Sequence, residues 1–485
     1  MIKQLFDLAN PSSFENSSLI AGEWVKGNEE SFPVLDKYAL KPFALLHRTD
    51  VDQIHRTIEF ATNEFTGVSL SNYERGQILD RTANLIEKRI DHFTEIMVIE
   101  SGFPKNDAAN EIKRGIQTLR VSADEARRFC GEMVPIEGAP QQSGRIAFTI
   151  RVPLGLVAAI TPFNAPFNTV AHKIAPAIAS GNAVILKPSS STPFTACLIA
   201  QAFVEAGLPK GLISVVHGSA ATVDALLADQ RIKFFAFTGS TEVGIKIQQG
   251  AGLRRTQMEL GSIAFTILNE DTNLESALPK VVGASYRKAG QVCTSIQILL
   301  VHQNRIQEVQ QKLTEMVGEL AYGDPNSPQT VVGPVISLES AKRIESWIHE
   351  AASSGATILA GGTRSGAVVA PTLLTNTHES MRVGCAEVFG PVLSIVPFAS
   401  ISEAIAKVNS TPFGLATGIF TSNLDDALFA AKKLVVGGVH INETSSSRVD
   451  LMPYGGSKNS GFGREGPKYA MHEMSEERII TMKPQ

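Results

Sequence analysis

The chain has little of what would tie it to a nucleic acid, a membrane or a disulfide framework. Its 485 residues carry 44 Lys and Arg against 48 Asp and Glu, a formal net charge of -4. So mild an acidic balance offers no basic footprint for a nucleic acid or an anionic membrane surface. No apolar run approaches the ~18 residues that crossing a bilayer takes. The opening stretch, MIKQLFDLANPSSFENSS, lacks the basic flank and apolar core of a secretory signal, so a cytoplasmic address is expected. Four cysteines, Cys130, Cys197, Cys293 and Cys385, stand far apart, with no CxxC pair and no histidine at ligand spacing. Neither disulfides nor a metal site are expected.

What is present is a long globular chain, 43% hydrophobic and 19% charged, which at ~150 residues per domain calls for two or three domains. From about 50 to 128 apolar residues recur three and four apart, as in ERGQILDRTANLIEKRIDHFTEIMVIESG, the pattern of surface-packed helices. Between 129 and 153 Pro, Gly and Gln mark a turn, and the alternating run RIAFTIRV follows, a hairpin-like insert. From 154 short apolar runs (GLVAAITP, NAVILKPS, LISVVHG, IKFFAFTG) alternate with helical stretches. Buried parallel strands joined by helices produce this rhythm, so a doubly wound α/β domain is expected to end near MELGS. A second α/β unit follows, with the strand IQILLVH, a helix from about 304 to 321, and strands near ATILAGG and LSIVPF. The tail EERIITMK reads as an edge strand able to pair with the insert or with another subunit.

Several stretches could carry chemistry, each with a plainer alternative. FFAFTGSTEVG offers a strand, Phe234 to Phe237, and a turn at Gly239 opening a helix with Gly244 beside it; this is a nucleotide loop or merely a tight turn. Lys187 ends the strand of VILKPSSSTP, facing phosphate oxygens or only solvent. Asn164, between two prolines in TPFNAPFN, is an oxyanion donor or a turn residue. Glu259 in MELGS stands in apolar company, where burial would raise its pKa toward that of a general base. Cys293 in KAGQVCTS is a nucleophile or a packed thiol.

Taken together, ITPFNAP, ILKPS, FTGSTEVG, MELG, GQVCTS, EVFGPV, PFGLATGIF and MPYGGSKNSGFGREG resemble the aldehyde dehydrogenase superfamily, in order and over almost the whole chain. The texture is similar to the lactaldehyde, non-phosphorylating glyceraldehyde-3-phosphate and phosphonoacetaldehyde branches. The resemblance implies a cofactor-binding domain over 1–128 and 151–260, with 442–468 returning to it, and a catalytic domain over 261–441. It also implies an oligomerisation arm from 129–150 and 469–485, holding a homodimer or homotetramer. The implied reaction is NAD(P)-dependent oxidation of an aldehyde to its acid. Cys293 is then the nucleophile, Asn164 the oxyanion donor, Glu259 the base, and Glu465 a proton relay, with Lys187 among the catalytic group. For NADP or NAD the resemblance implies contacts from Thr161, Pro162, Phe163, Asn164, Lys187, Ser189, Ser190, Gly218, Phe237, Thr238, Gly239, Ser240, Glu259, Leu260, Glu387 and Phe389.

The chain departs from the family pattern in places that bear on specificity. Ser190 stands where many relatives carry a Glu that grips the ribose hydroxyls; without that carboxylate, and with Lys187 near, a 2'-phosphate is expected to be tolerated, leaving NADP and NAD both open. Gly261-Ser262 replaces a usual glycine pair, and HGSAATVDALL lacks two glycines often found in that loop. Small or polar Ala165, Asn168 and His172 follow Asn164 where relatives acting on fatty or aromatic aldehydes carry large apolar groups. A small polar substrate is expected, with Arg448 in the entrance loop as an anion clamp and Arg114 and Arg287 as further candidates. Val292 stands before the nucleophile where phosphate-handling relatives often have arginine. The alternatives are a CoA-acylating dehydrogenase, against which Glu259 argues, and a non-catalytic scaffold, against which Cys293, Glu259 and Asn164 all argue.

Overall fold

The computed structural model describes residues 6–483; the last two residues of the expected arm lie outside the described residues. Two hairpins come first, β1 (Ser18–Ile20) with β2 (Glu23–Val25) and β3 (Ser31–Leu35) with β4 (Pro42–His47). The helical stretch folds as α1 (Val51–Gly67), α2 (Asn72–Glu87), α3 (Ile90–Ser101) and α4 (Lys105–Arg128). Capping boxes start α1, at Asp50 and Gln53, and α2, at Ser71 and Glu74, satisfying backbone donors that each helix start would otherwise leave unpaired. No described helix is long and apolar enough to cross a membrane.

The insert supplies β5 (Met133–Val134) and β6 (Ile146–Pro153). The alternating region is β7 (Leu156–Ile160), α5 (Asn168–Ala179), β8 (Ala183–Lys187), α6 (Pro193–Glu205), β9 (Ile213–Val215), α7 (Ala220–Ala228), β10 (Ile232–Thr238), α8 (Thr241–Ala251) and β11 (Arg255–Glu259). All residues of β7, β8 and β9 are buried. Covered on both faces, such strands read as unbroken apolar runs. Next come β12 (Ala264–Leu268), α9 (Leu274–Tyr286), β13 (Ile296–His302), β14 (Thr357–Ala360), the small hairpin β15 (Arg364–Ser365) and β16 (Val368–Val369), and β17 (Thr372–Thr375). The chain ends through β18 (Val392–Phe398), β19 (Ala416–Phe420), β20 (Gly438–Ile441), β21 (Gly461–Phe462) and β22 (Ser475–Met482).

The first sheet has the order β2-β1-β9-β8-β7-β10-β11-β21. Its chain runs outward from β7 through β8 to β9, then lays β10 and β11 on the other side of β7, all in parallel. The winding reverses between β7 and β10, and a ligand crevice opens at such a reversal, beyond the carboxyl ends of the strands. The second sheet, β14-β17-β18-β13-β12-β19-β20, reverses at β12, which is parallel to both its neighbours. This is the expected α/β architecture of two doubly wound sheets. Only Leu260–Ile263 separates β11 from β12, so the crevice of the first sheet lies against the segments that lead into β12, β13 and β18.

A separate three-stranded sheet has the order β22-β6-β5. β22 pairs antiparallel with β6 from Ser475 opposite Pro153 to Met482 opposite Ile146. Within the chain, the tail thus pairs with the insert.

Candidate active site

Cys293 stands on a backbone turn that few sequences could make. Helix α9 ends at Tyr286, and Lys288, Ala289 and Gly290 follow with φ of 51°, 53° and 68°. A Cβ on Gly290 would lie 2.1 Å from the Gly390 carbonyl oxygen, so glycine is demanded there both by φ and by space. The two left-handed residues before it are strained and are held from outside. The Lys288 N–H donates to Asp107 at 3.0 Å, and its ammonium pairs with Glu111 and donates to the Asn164 carbonyl at 3.3 Å. The hydroxyls flanking Cys293 anchor the other side. Ser295 Oγ donates to the Ala284 and Ser285 carbonyls at 3.0 and 2.9 Å, while the Ser445 and Ser446 hydroxyls both donate to the Thr294 carbonyl at 2.8 Å.

The turn aims the sulfur at two groups. Cys293 Sγ donates to Glu259 Oε1 at 3.1 Å and lies 3.0 Å from the Tyr454 hydroxyl. Burial, then the Glu259 charge, pushes the thiol well above its ordinary pKa. Glu259 is the last residue of β11 and also accepts from Thr238 Oγ1 at 3.2 Å. Burial, then the charge of Glu465, raises its carboxyl above the usual range. Glu465 behaves oppositely: burial opposes its charge, but Lys173 and then Arg448 outweigh it and hold the carboxyl well below the usual range. Lys173 Nζ reaches Oε1 at 3.1 Å and Arg448 Nη2 reaches Oε2 at 2.9 Å. Two carboxylates with separated proton affinities thus stand near one thiol.

A cavity of about 680 Å³ runs from Cys293 to the reversal point of the first sheet. It is lined by Thr161, Pro162, Phe163 and Asn164 beyond β7, by Lys187, Ser189 and Ser190 at the end of β8, and by Phe237 through Ser240 at the end of β10. Leu260, Glu387 and Phe389 line it from the side of the second sheet. Gly218 is not a wall residue; its carbonyl accepts from Ser190 Oγ at 3.3 Å, tying the loops after β8 and β9 together. The first turns of α7 and α8 border the cavity, presenting backbone N–H groups and the positive ends of their dipoles. Gly244 lets α8 approach closely, since a Cβ there would meet Leu260 Cδ2 at 2.3 Å.

The polar groups on these walls have little to do within the protein. Burial lowers the Lys187 pKa to about 8, and its ammonium meets only the Pro188 carbonyl at 3.4 Å. The Thr161 hydroxyl is buried without a partner, as is that of Ser262 behind the wall. Among the described residues the Asn164 side-chain amide makes no hydrogen bond, although the residue is 9% exposed. Glu387 accepts from the Ser262 N–H at 2.8 Å, and burial brings its pKa up to about 7. Phe389 holds a φ of 50° and meets Phe163 edge to face at 5.8 Å. Such a set suits a ligand with phosphates, ribose hydroxyls and a flat ring.

Of the residues expected at the substrate, Arg114, Asn168, Arg287 and Arg448 line the cavity, and His172 does not. His172 is buried behind the wall, 2.8 Å from Asp450, which also binds the Arg114 guanidinium through both oxygens and the Asn168 amide. Arg448 is committed to Glu465 and lies 3.7 Å over the Tyr454 ring. Arg287 differs: among the described residues its guanidinium forms no ion pair or hydrogen bond. Tyr454 and Asp450 were not singled out in the sequence. Each sits inside a recognisable string, MPYGG or RVDLMPYGG, but their partners are 161 and 336 residues away, and nothing local announces them. Among the described residues no group of three or more His, Cys, Asp or Glu is placed to hold a metal ion.

Comparison with known proteins bears on this site directly. The model of the aldehyde dehydrogenase family matches residues 24–480. The chain is 44% identical over 464 residues to the 3-sulfolactaldehyde dehydrogenase of Priestia megaterium, covering 96% of this chain and 97% of that one. Among solved structures it is similar to aldehyde dehydrogenase 21 from Physcomitrella patens in complex with the reaction product succinate, with a TM-score of 0.93, 34% identity, and 96% and 98% of the two chains covered. The NADP-dependent glyceraldehyde-3-phosphate dehydrogenase of Bacillus halodurans, complexed with NADP, superposes with a TM-score of 0.94 at 32% identity, over 97% and 99% of the chains.

Proposed function

The chain belongs to the aldehyde dehydrogenase family, and from that premise we propose that it oxidises a small anionic aldehyde to the free carboxylic acid through a thioester on Cys293. It is an NAD(P)-dependent aldehyde dehydrogenase; the nucleophile, the base and the substrate charge are the proposed part. One observation carries the mechanism: a thiol hydrogen-bonded to a buried carboxylate with raised proton affinity, at the inner end of a cavity that Asn164 also lines. Glu259 takes the thiol proton, and the sulfur attacks the carbonyl carbon. The carbonyl electron pair moves to oxygen, where the Asn164 amide and the Cys293 backbone N–H donate to it. A nicotinamide bound in the crevice supplies the hydride acceptor. Glu259, its proton released to solvent, then activates water to cleave the thioester; Glu465, kept ionised by Lys173 and Arg448, acts by raising the proton affinity of Glu259 and not by taking its proton. Glu387 and Phe389 would seat the ribose and ring, and Lys187 with Ser190 the adenosine end.

Arg287 points to the charge of the substrate. A guanidinium half-buried in the cavity wall and left without a protein partner calls for an anion. Arg448, spent on Glu465, is the weaker candidate. The Priestia relative acts on an aldehyde bearing a sulfonate, which agrees in sign. Turnover of 3-sulfolactaldehyde, succinic semialdehyde and glyceraldehyde 3-phosphate, measured beside neutral lactaldehyde, tests this. The anionic aldehydes should give the higher kcat/KM, and Arg287→Gln should cut that value roughly 10- to 100-fold for them while sparing lactaldehyde, the worth of one charge-assisted pair. Equal loss on both classes would sink the assignment. Formation of an acyl-CoA instead of free acid on adding CoA would favour the acylating alternative.

NADP is the expected preference because no carboxylate stands at Ser190 and Lys187 is close by in sequence. Installing the charge, Ser190→Glu, should lower the ratio of kcat/KM for NADP over NAD by roughly 10- to 100-fold through repulsion of the 2'-phosphate. An unchanged ratio would place the 2'-hydroxyl elsewhere. The two sheets are proposed to divide as the motifs imply, cofactor side and catalytic side. Exposed Met133, Ile150 and Ile479 on the three-stranded arm support its use in joining copies of the chain.

A further inference from the structure

The Cys293 sulfur has two close polar neighbours, Glu259 and Tyr454, and proton transfer accounts only for Glu259. A thiol has a single hydrogen, which Cys293 directs to Glu259; the contact with Tyr454, 3.0 Å from Sγ to Oη, therefore has the phenol as donor and the sulfur as acceptor. We propose that Tyr454 is a further catalytic residue, whose hydroxyl donates to the Cys293 sulfur and stabilises it as thiolate once Glu259 has taken the proton. The inference rests on Cys293 being the nucleophile.

The ring is held for this role rather than merely packed. Tyr454 and Glu465 form an antiparallel bridge, with Tyr454 N–H donating at 3.1 Å and Glu465 N–H donating back at 2.7 Å. The Arg448 guanidinium covers one ring face at 3.7 Å and is fixed in turn by Glu465. A cation on the ring face polarises the O–H bond and makes the phenol a stronger donor. Burial, then the charges of Cys293 and Glu259, keeps Tyr454 protonated far into the alkaline range, so the donor persists. Tyr454 is 7% exposed, and a buried phenol needs a hydrogen-bond partner; here the partner is the sulfur. Filling the space would require only a phenyl ring. The need for a donor is physical: burial otherwise suppresses the thiolate, and a hydrogen bond to the charged form offsets that cost.

The test reads the thiol itself, without aldehyde or cofactor. The intact protein and Tyr454→Phe are treated with iodoacetamide across pH; an S–C bond forms at the thiolate and iodide departs. Modification is followed at the Cys293 peptide by mass spectrometry, because Cys130 and Cys385 are exposed and will also react. The charged and titratable groups facing the sulfur are Glu259 from β11, Tyr454 and Arg448 from the loop before β21, and Arg287 from the turn after α9. Only Tyr454 differs between the two proteins. The midpoint for Cys293 should rise by about one to two units in Tyr454→Phe, the size of one hydrogen bond to a charged acceptor, while the other cysteines keep theirs. Site-specific 2,3-difluorotyrosine at 454, a more acidic donor of nearly the same shape, should move the midpoint the other way, and decides alone if Tyr454→Phe does not fold. A midpoint unmoved by the substitutions that fold overturns the proposal. Failure of the wild type to oxidise any aldehyde would instead overturn the parent reading, and the alkylation midpoints would still be readable.

Discussion

Cys293→Ala should leave no measurable aldehyde-dependent reduction of NADP or NAD, a fall of at least about 10⁴-fold, while cofactor binding stays intact. Covalent catalysis splits one difficult hydride removal into two easier steps, and without the sulfur no thiohemiacetal forms from which a hydride can leave. The loss is larger than for a binding residue because the interaction exists only along the reaction path, so kcat falls rather than KM rising. Alanine removes the thiol with little disturbance, since the turn is fixed by Lys288, Gly290, Ser295 and the two serines holding Thr294, not by the sulfur. The measurements are steady-state turnover and cofactor binding by fluorescence on the same preparation. Residual turnover above about a hundredth of wild type, with binding unchanged, would rule Cys293 out as the nucleophile.

The local string around Cys293 leaves nucleophile and packed thiol both open, and only the set of motifs favours the first; Glu259 and Tyr454, the groups at its sulfur, lie 34 and 161 residues away. Gly290 and the Ser295 hydroxyl, five residues on, do build part of the turn. The strands β7, four residues before Asn164, and β8, ending in Lys187, were legible because burial on both faces turns parallel strands into apolar runs. Harder to see was anything that depends on two distant segments meeting. The left-handed conformation of Lys288 and Ala289 is imposed by Asp107 and Glu111 on α4, so composition gave no sign of it. Arg448 reads from the sequence as an anion clamp in an entrance loop. In the fold Glu465, only 17 residues on, takes its guanidinium, and Tyr454 offers its ring. His172 follows Asn164 closely enough to be counted with the pocket, yet the α5 helix turns it behind the wall to Asp450. Charge pairing across the fold decides which arginine is left for a substrate, and pairing of that range leaves no pattern in the chain.

Glu259→Gln should separate the two halves of the reaction. Glutamine keeps the shape and can still accept a hydrogen bond from the thiol, but it can take no proton from water. A first burst of reduced cofactor should therefore survive, stoichiometric with enzyme though slowed by the loss of the acceptor for the thiol proton. Steady-state acid release should fall by about 10²- to 10⁴-fold, the range for a general base. The acyl group should be found on Cys293 by intact mass in the variant and not in the wild type. The same carboxylate sets a pH dependence. Its proton affinity is raised by burial and by the Glu465 charge, so the ionised base is lost as pH falls through a point above the ordinary carboxylate range. Acid release in the wild type should decline on that side first, and the variant, having no such group, should lose that limb of the profile. If the burst and the steady state are lost together, Glu259 serves only to deprotonate the thiol, and another group activates the water.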